Sequence, residues 1–295
     1  MEEPSPRASR FALAGGLVAV LLVGGGGFLL GRTTSERPPA AAAPPRAATV
    51  DPAPTPVVTE APRRTLGRAE LVALAVAAAD AAASGSAPAA AVRDAAGRRF
   101  DLRLPFGCDG PAATDSGAAM RWRYDEEDKA LRLHVAPIEW SAADWWPDAA
   151  LARIEAIEGF WIERPWTTSE ACPATAGRAA ATGAEPVTLP GQTLAIAQFI
   201  GGDSARQGKR EGKPFTATVR MAPDAVRADQ GFRVRLIGQV ATAPGDGPML
   251  CRQPAGAEQR PICVIAVTLD EVRIENGATG DTLATWTLGA ARDAE

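Results

Sequence analysis

A basic loop lies between two apolar runs and reads GGDSARQGKREGKPF over Gly201–Phe215. Its cationic side chains are those of Arg206, Lys209, Arg210 and Lys213. Closely spaced cations on a glycine-containing segment predict an anion-binding site, with a lipid headgroup, a wall polymer or an acidic envelope protein as the partner. The segment does not have the GxxxxGK[ST] pattern of a phosphate loop. The alternative is a polar hairpin loop that joins two neighbouring strands.

The spacing of the cysteines predicts a disulfide framework. The chain contains Cys108, Cys172, Cys251 and Cys263, and none of them forms a C-x-x-C pair. Since the chain also has a single histidine, we predict no metal site. We expect the pairs Cys108–Cys172 and Cys251–Cys263 in an oxidising compartment. The alternative is four reduced thiols in a domain that faces the cytosol.

Acidic and aromatic side chains are concentrated between residues 140 and 166. Five of the seven tryptophans lie there, namely Trp140, Trp145, Trp146, Trp161 and Trp166. The carboxylates considered are Asp144, Asp148, Glu155, Glu158 and Glu163. Glycoside hydrolysis needs two carboxyl groups about 5–10 Å apart across a cleft. An envelope hydrolase is therefore the alternative function, although tryptophans also serve to fill cores.

Other chemistries find little support in the sequence. The only histidine, His134, alternates with arginines in a predicted strand, and no G-x-S-x-G stretch is present for a serine nucleophile. We therefore identify no catalytic residue and predict no cofactor. The net charge of −4 argues against a general nucleic-acid binder, which would be basic.

The N-terminal region predicts attachment to a membrane. Residues 11–31 begin with twenty uncharged residues, which as a helix would span about 30 Å of hydrocarbon. Residues 1–10 would be a short cytoplasmic tail. A cleavable signal peptide is the competing interpretation. The G-x-x-x-G at Gly27–Gly31 permits a homodimer through the anchor.

The segment between the anchor and the first predicted soluble helix has the composition of a linker. Residues 32–62 are rich in proline and alanine and show no apolar periodicity. A helix is predicted within residues 63–86, over Leu66–Ala83, with Thr65 as its N-cap and Gly85 as its stop. A second short helix is predicted over Ser141–Arg153.

Beyond this helix the hydrophobic period changes to two, which is typical of strands. Residues 99–190 form a first β-rich half, and a hairpin is predicted where Met120–Tyr124 and Leu131–Val135 alternate with Arg121, Arg123, Arg132 and His134. Residues 191–291 predict a β-meander. Within it, Val267 and Leu269 are out of phase with Val272 and Ile274, which predicts a bulge near Asp270–Glu271.

Together these features predict a mainly β (α+β) protein with one transmembrane helix, a Pro/Ala linker and an antiparallel β domain of barrel or sandwich type. We expect a single-pass protein of the bacterial inner membrane with its C-terminal domain in the periplasm. The predicted function is binding or scaffolding in the envelope.

Overall fold

The computed structural model describes residues 64–140, 154–173, 193–201, 210, 212–243, 247–253 and 256–288. The predicted anchor (11–31), the linker (32–62) and the predicted helix Ser141–Arg153 lie outside the described residues. Within the part of the chain that is described, no helix combines the length and the apolar character needed to cross a bilayer.

The described fold is mainly β. Its helices are α1 (Arg68–Ser84), α2 (Ala90–Arg93) and a 3-10 turn (Pro223–Ala225). The strands before residue 162 are β1 (Arg99–Phe106), β2 (Met120–Asp125), β3 (Ala130–Val135), β4 (Ile138–Trp140) and β5 (Ile154–Trp161). The later strands are β6 (Leu194–Gly201), β7 (Phe215–Arg220), β8 (Phe232–Val240), β9 (Met249–Arg252), β10 (Ile262–Asn276) and β11 (Thr282–Thr287).

The larger, main sheet has eight strands arranged around the long strand β10. The first part of β10 lies between β6 and β9, and its second part lies between β8 and β11. β1 extends the sheet beyond β8, while β5 and β4 extend it beyond β6. The pairing of β6 with β10 is parallel, so the sheet is mixed rather than antiparallel throughout. Strands from both predicted halves are therefore interleaved in one sheet.

The smaller sheet consists of β2, β3 and β7. The predicted hairpin of β2 and β3 is confirmed, with Trp122 opposite Leu133 and Arg123 opposite Arg132. The inner face of this small sheet packs on the main sheet, where the ring of Trp122 meets the edge of Phe232 at 5.4 Å between centroids. Two sheets thus share one core, and the described strands do not close into a barrel.

The predicted connection of β6 to β7 as a hairpin is wrong. β6 lies in the main sheet between β5 and β10, whereas β7 pairs with β3 in the small sheet. The physical reason is the pattern of the two strands. Leu194–Ala197 is buried on both faces, as a central strand must be, while β7 exposes Thr216 and Thr218 and so needs one face in water. The same separation rules out a simple meander.

The helix α1 begins later than its sequence predicts. Leu66 is still extended and forms a parallel bridge with Phe100, so Thr65 is not the N-cap. Gly67 takes that position, and the Glu70 carboxylate accepts a hydrogen bond from its N–H at 3.0 Å. The predicted stop is confirmed, because Gly85 adopts a left-handed conformation with φ 65°.

The predicted bulge is also confirmed. The register of β10 against β8 shifts between Leu269 and Glu271, which allows Leu269 and Val272 both to be buried. The Gln198 side-chain oxygen accepts a hydrogen bond from the Leu269 N–H at 2.9 Å. The extra residue of the bulge therefore lets this one long strand bury apolar side chains both before and after the shift.

Both expected disulfides are present, with the pairing that the sequence predicted. Cys108 is bonded to Cys172 across 64 residues, and Cys251 to Cys263 across 12 residues. No free cysteine remains in the described chain. This bonding indicates an oxidising, extracytoplasmic compartment rather than the cytosolic alternative with reduced thiols.

Candidate functional site: an arginine face on the small sheet

The outer face of the small sheet gathers the arginines that its strand alternation exposes. Because Trp122, Leu131 and Leu133 are buried beneath it, the residues between them point away from the core. Pairing places Arg121 beside His134 and Arg123 beside Arg132. We call this surface the arginine face.

β7 completes the face with hydroxyl groups. Thr216 lies beside His134, and Thr218 lies beside Arg132. On the other side of β2, the segment 112–114 runs along the edge, and its Ala112 N–H donates to the Trp122 carbonyl at 2.8 Å. The arginine face is therefore four chain segments wide.

A cavity of about 440 Å³ opens over these segments. Its described lining contains three arginines, Arg121, Arg123 and Arg132, and no carboxylate. It also contains His134, Thr114, Thr216 and Thr218. This volume lies in the range that ligand sites of proteins occupy, about 300–1,000 Å³.

The floor of the cavity is fixed by packing below it. Trp122 is 7% exposed, and its indole N–H donates to the Gly107 carbonyl at 3.2 Å. The Tyr124 hydroxyl donates to the Met221 carbonyl at 2.7 Å, which ties β2 to the end of β7. Because the strands are held this way, the arginines project from a rigid surface rather than from a loop.

The three arginines differ in how far their charge is already compensated. Arg132 pairs with Asp125 at 3.0 Å and also with Asp128. Arg121 donates to the Ala118 carbonyl at 2.6 Å and pairs with no carboxylate in the described part of the chain. Arg123 is exposed, and among the described residues it has no ion pair. Two positive charges thus face the cavity without an ion pair among the described residues, although the charge of Arg123 also acts on the nearby Asp125 carboxylate.

The pKa of His134 is shifted by this environment. Burial lowers its pKa below the ordinary value, and the positive charge of Arg121 lowers it further. The imidazole is therefore neutral at pH 7 and gains its charge only in more acidic solution. An anion bound in the cavity would oppose that effect and favour the protonated form.

Comparisons leave this geometry as the main guide to function. No family model, curated protein or solved structure matches the chain. The functional proposal therefore rests on the fold and its surfaces.

The predicted basic loop is only partly described. Arg206 and Lys209 lie outside the described residues. Arg210 is engaged within the protein, since its N–H donates to Glu158 at 3.0 Å and its guanidinium lies over the ring of Phe215 at 4.0 Å. That guanidinium also donates to the carbonyls of Lys213 and Pro214. Burial lowers the pKa of Arg210, against the opposing influence of Glu158.

These contacts give Arg210 a positioning role at the start of β7. They leave the anion-binding prediction for the loop dependent on Arg206, Lys209 and Lys213.

The carboxylates near the tryptophans have separate surroundings. Glu158 is buried at 3% exposure and accepts the Arg210 N–H, whereas Glu155 is exposed. Glu163 lines a cavity of about 490 Å³ together with Trp161. Trp161 packs edge-on against Trp140 at 5.3 Å between centroids, so this pair fills a core. Asp144, Asp148, Trp145 and Trp146 lie outside the described residues.

Trp166 has a different setting from the packed tryptophans. It is 67% exposed and lines an apolar groove of about 270 Å³ together with Val76 of α1. Nearby, the buried guanidinium of Arg68 donates to the carbonyls of Glu163, Arg164 and Thr167 and holds this segment in place. Burial lowers the pKa of Arg68.

The described part of the chain contains no cluster of metal-binding side chains. No group of three or more His, Cys, Asp or Glu side chains could hold an ion there. The arginine face is the arrangement that points most directly to a ligand. Its residues were visible in the sequence as an alternating pattern, but the third strand that completes it was not.

Proposed function

We propose that the protein is a binding protein of the bacterial envelope that holds an anionic ligand on the arginine face. The observation that carries this proposal is the cavity of about 440 Å³ whose described lining has three arginines and no carboxylate. Guanidinium groups form strong, directional hydrogen bonds with carboxylate, sulfate or phosphate groups. Binding fits better than catalysis because, although Thr216 lies beside His134, no hydrogen bond joins these two side chains in the described part of the chain.

The proposed setting is the periplasmic side of the inner membrane. Two disulfides support an oxidising compartment, and the apolar residues 11–31 support a single-pass anchor. The linker of residues 32–62 would let the domain reach ligands away from the bilayer. A reporter fused to the C-terminus tests this topology, since activity of a cytoplasmic-type reporter would overturn it.

The binding proposal is tested with the full chain in nonionic detergent and dextran sulfate as the probe. Arg121→Gln combined with Arg123→Gln removes the two cavity charges that form no ion pair within the described residues. We expect the affinity to fall at least about tenfold at low salt, because hydrogen bonds to charged groups contribute about 1.5–3 kcal/mol each. The binding of the parent should weaken as salt rises, and that dependence should be smaller in the double variant.

Two further variants locate the effect. Arg93→Gln is the matched control, since Arg93 is an exposed arginine of α2, away from the small sheet, and does not line the cavity. A triple variant with Arg206, Lys209 and Lys213 changed to Gln tests the basic loop and spares Arg210. If the triple variant loses binding and the double variant keeps it, the arginine face is not the site.

A further inference from the structure

The arginine face is divided into stripes of different chemistry. Arg121 and Arg123 of β2 and Arg132 of β3 form a cationic centre. Hydroxyl groups flank it on both sides, with Thr114 beyond the edge of β2 and Thr216 and Thr218 on β7.

The hydroxyls of this face are available to a ligand. Thr114, Thr216 and Thr218 are all exposed. Within the described part of the chain, no hydrogen bond occupies the hydroxyls of Thr216 and Thr218. A threonine hydroxyl both donates and accepts, so it suits a partner that is itself a hydroxyl.

Sheet geometry sets the size of ligand that would use both stripes. Neighbouring strands lie about 4.8 Å apart, and alternate residues along a strand about 6.8 Å apart. The distance from β2 to β7 across β3 is therefore about 10 Å. An inorganic anion would reach the arginines alone, whereas a ligand with an anionic group and lateral hydroxyls would reach both stripes.

We infer that the ligand is an acidic carbohydrate, in which uronate or similar anionic groups meet the arginines and ring hydroxyls meet the threonines. This inference rests on the proposed anion-binding function and adds the chemical class. An acyl chain would find little apolar surface, because Trp122 and Leu133 are buried under the cavity and only alanine methyl groups add to its apolar lining. A planar base would find no open aromatic face for the same reason.

The test compares three probes on the full chain in nonionic detergent. The probes are an oligogalacturonate, a neutral malto-oligosaccharide of equal length, and inorganic pyrophosphate, which is too short to span from β2 to β7. The decisive variant is Thr216→Val with Thr218→Val, which removes the hydroxyls but keeps a β-branched side chain suited to a strand. Thr268→Val, an exposed threonine of β10, is the matched control.

We expect oligogalacturonate to bind the parent at least about tenfold more tightly than the neutral oligosaccharide. The threonine variant should weaken oligogalacturonate binding about three- to tenfold, as expected for two neutral hydrogen bonds. It should change pyrophosphate binding less than about twofold, and the control should change neither.

The outcomes separate this inference from the function on which it rests. If the threonine variant binds oligogalacturonate as the parent does, while Arg121→Gln with Arg123→Gln weakens it, the protein binds anions by charge alone and the carbohydrate inference is overturned. If the neutral oligosaccharide binds as tightly as the acidic one, the inference is overturned as well. If the arginine variant binds every probe as the parent does, the proposed function itself fails.

Discussion

Both sheets carry rows of arginines on their outer faces, but the main sheet pairs its row with carboxylates more fully than the small sheet, where Arg132 alone of the three has ion pairs among the described residues. In the main sheet, Arg103, Arg235 and Arg273 are direct cross-strand neighbours on β1, β8 and β10. In the small sheet, Arg123 and Arg132 are cross-strand neighbours on β2 and β3. Like charges in such positions destabilise a sheet unless they are compensated.

The main sheet compensates its arginines with an ion-pair network that we call the balanced face. Arg235 donates two hydrogen bonds to Asp101, at 2.9 and 2.6 Å, and a third to Glu275 at 3.0 Å. Arg103 donates to the other oxygen of Glu275 at 3.0 Å and lies 3.5 Å from Glu170. Arg273 pairs with Glu271.

The pKa shifts record this balance. Burial alone would raise the pKa of Asp101, but the hydrogen bond from Arg235 and the charge of Arg103 bring it below the ordinary value. The pKa of Arg235 is raised, chiefly by its hydrogen bond to Asp101. On the arginine face, burial lowers the pKa of His134 and the charge of Arg121 lowers it further, so this imidazole is repelled by its neighbour rather than paired with it. The ion pairs of the balanced face stabilise the fold, whereas the arginine face keeps two arginines without an ion pair among the described residues, as the proposed anion site requires.

The largest effect should come from opening the disulfide that secures the balanced face. The Cys108–Cys172 bond joins cysteines 64 residues apart. Cys172 lies two residues after Glu170, which is one of the carboxylates near Arg103. Changing both cysteines to alanine should lower the free energy of unfolding by about 4 kcal/mol on the loop-entropy model. Urea unfolding measured under oxidising conditions would show this loss.

The second disulfide provides the control for that measurement. Cys251–Cys263 closes only 12 residues, so its removal should cost about 3 kcal/mol. A larger loss for the shorter loop would show that loop closure is not the main source of stabilisation. Neither change is expected to alter anion binding once the protein is folded, because none of the four cysteines lines the arginine face.

A somewhat smaller loss should follow from removing the central carboxylate of the balanced face. The side chain of Glu275 is 5% exposed and bonds to two arginines. Glu275→Gln leaves those guanidinium groups with less compensation and should cost about 3 kcal/mol. The Arg99–Asp270 pair is the control, since its side chains are 52% and 40% exposed and Asp270→Asn should cost less than about 1 kcal/mol. Equal losses for the two changes would contradict a special role for the network.

Titration should distinguish the faces by a smaller effect. The folded pKa of His134 is lowered, so protonation of this residue destabilises the fold as the pH decreases through the unfolded value near 6.5. The folded pKa of Asp101 is also lowered, so its contribution is present above the unfolded value near 3.8 and is lost as the pH falls through the folded value. The arginine face should therefore respond to acid at a higher pH than the balanced face.

Binding should show the corresponding change at His134. The groups that face it are Arg121 on β2, Arg132 on its own strand and Thr216 on β7. Because a bound sulfate polymer favours the protonated form of His134, its affinity should increase severalfold between neutral and acidic pH. Calorimetry with dextran sulfate at pH 8 and pH 5 would measure this increase. His134→Gln should abolish it, and an unchanged pH dependence in that variant would exclude His134 as its source.

Periodicity predicted the local structure well, because each strand exposes or buries its side chains by its own alternation. The hairpin around Asp125–Lys129 and the bulge after Leu269 follow from neighbouring residues, and both are confirmed. The pairings of β3 with β7 and of β6 with β10 join strands far apart in sequence. No pattern within a single strand specifies such a partner, which is why the predicted β6–β7 hairpin was wrong.

The candidate site was harder to predict for the same reason. Arg121, Arg123, Arg132 and His134 could be seen to share one face of a hairpin. Thr216 and Thr218 join them only through the pairing of β7 with β3. Arg210 is the opposite example. Its charge suggested an anion site, but it already contacts Glu158 and Phe215, which belong to different sheets and whose proximity the sequence does not show. Charge alone therefore did not separate a compensated arginine from an available one.

The smallest effect on stability should come from the change with the largest effect on binding. Arg121→Gln with Arg123→Gln removes two charges that have no carboxylate partner among the described residues. Since no ion pair is lost there and repulsion around Arg132 and His134 is relieved, the free energy of unfolding should change by less than about 0.5 kcal/mol, or rise slightly. Urea unfolding alongside Glu275→Gln would measure both faces under the same conditions. A loss of more than about 2 kcal/mol would place these arginines among the structural ones and remove the distinction between the two faces.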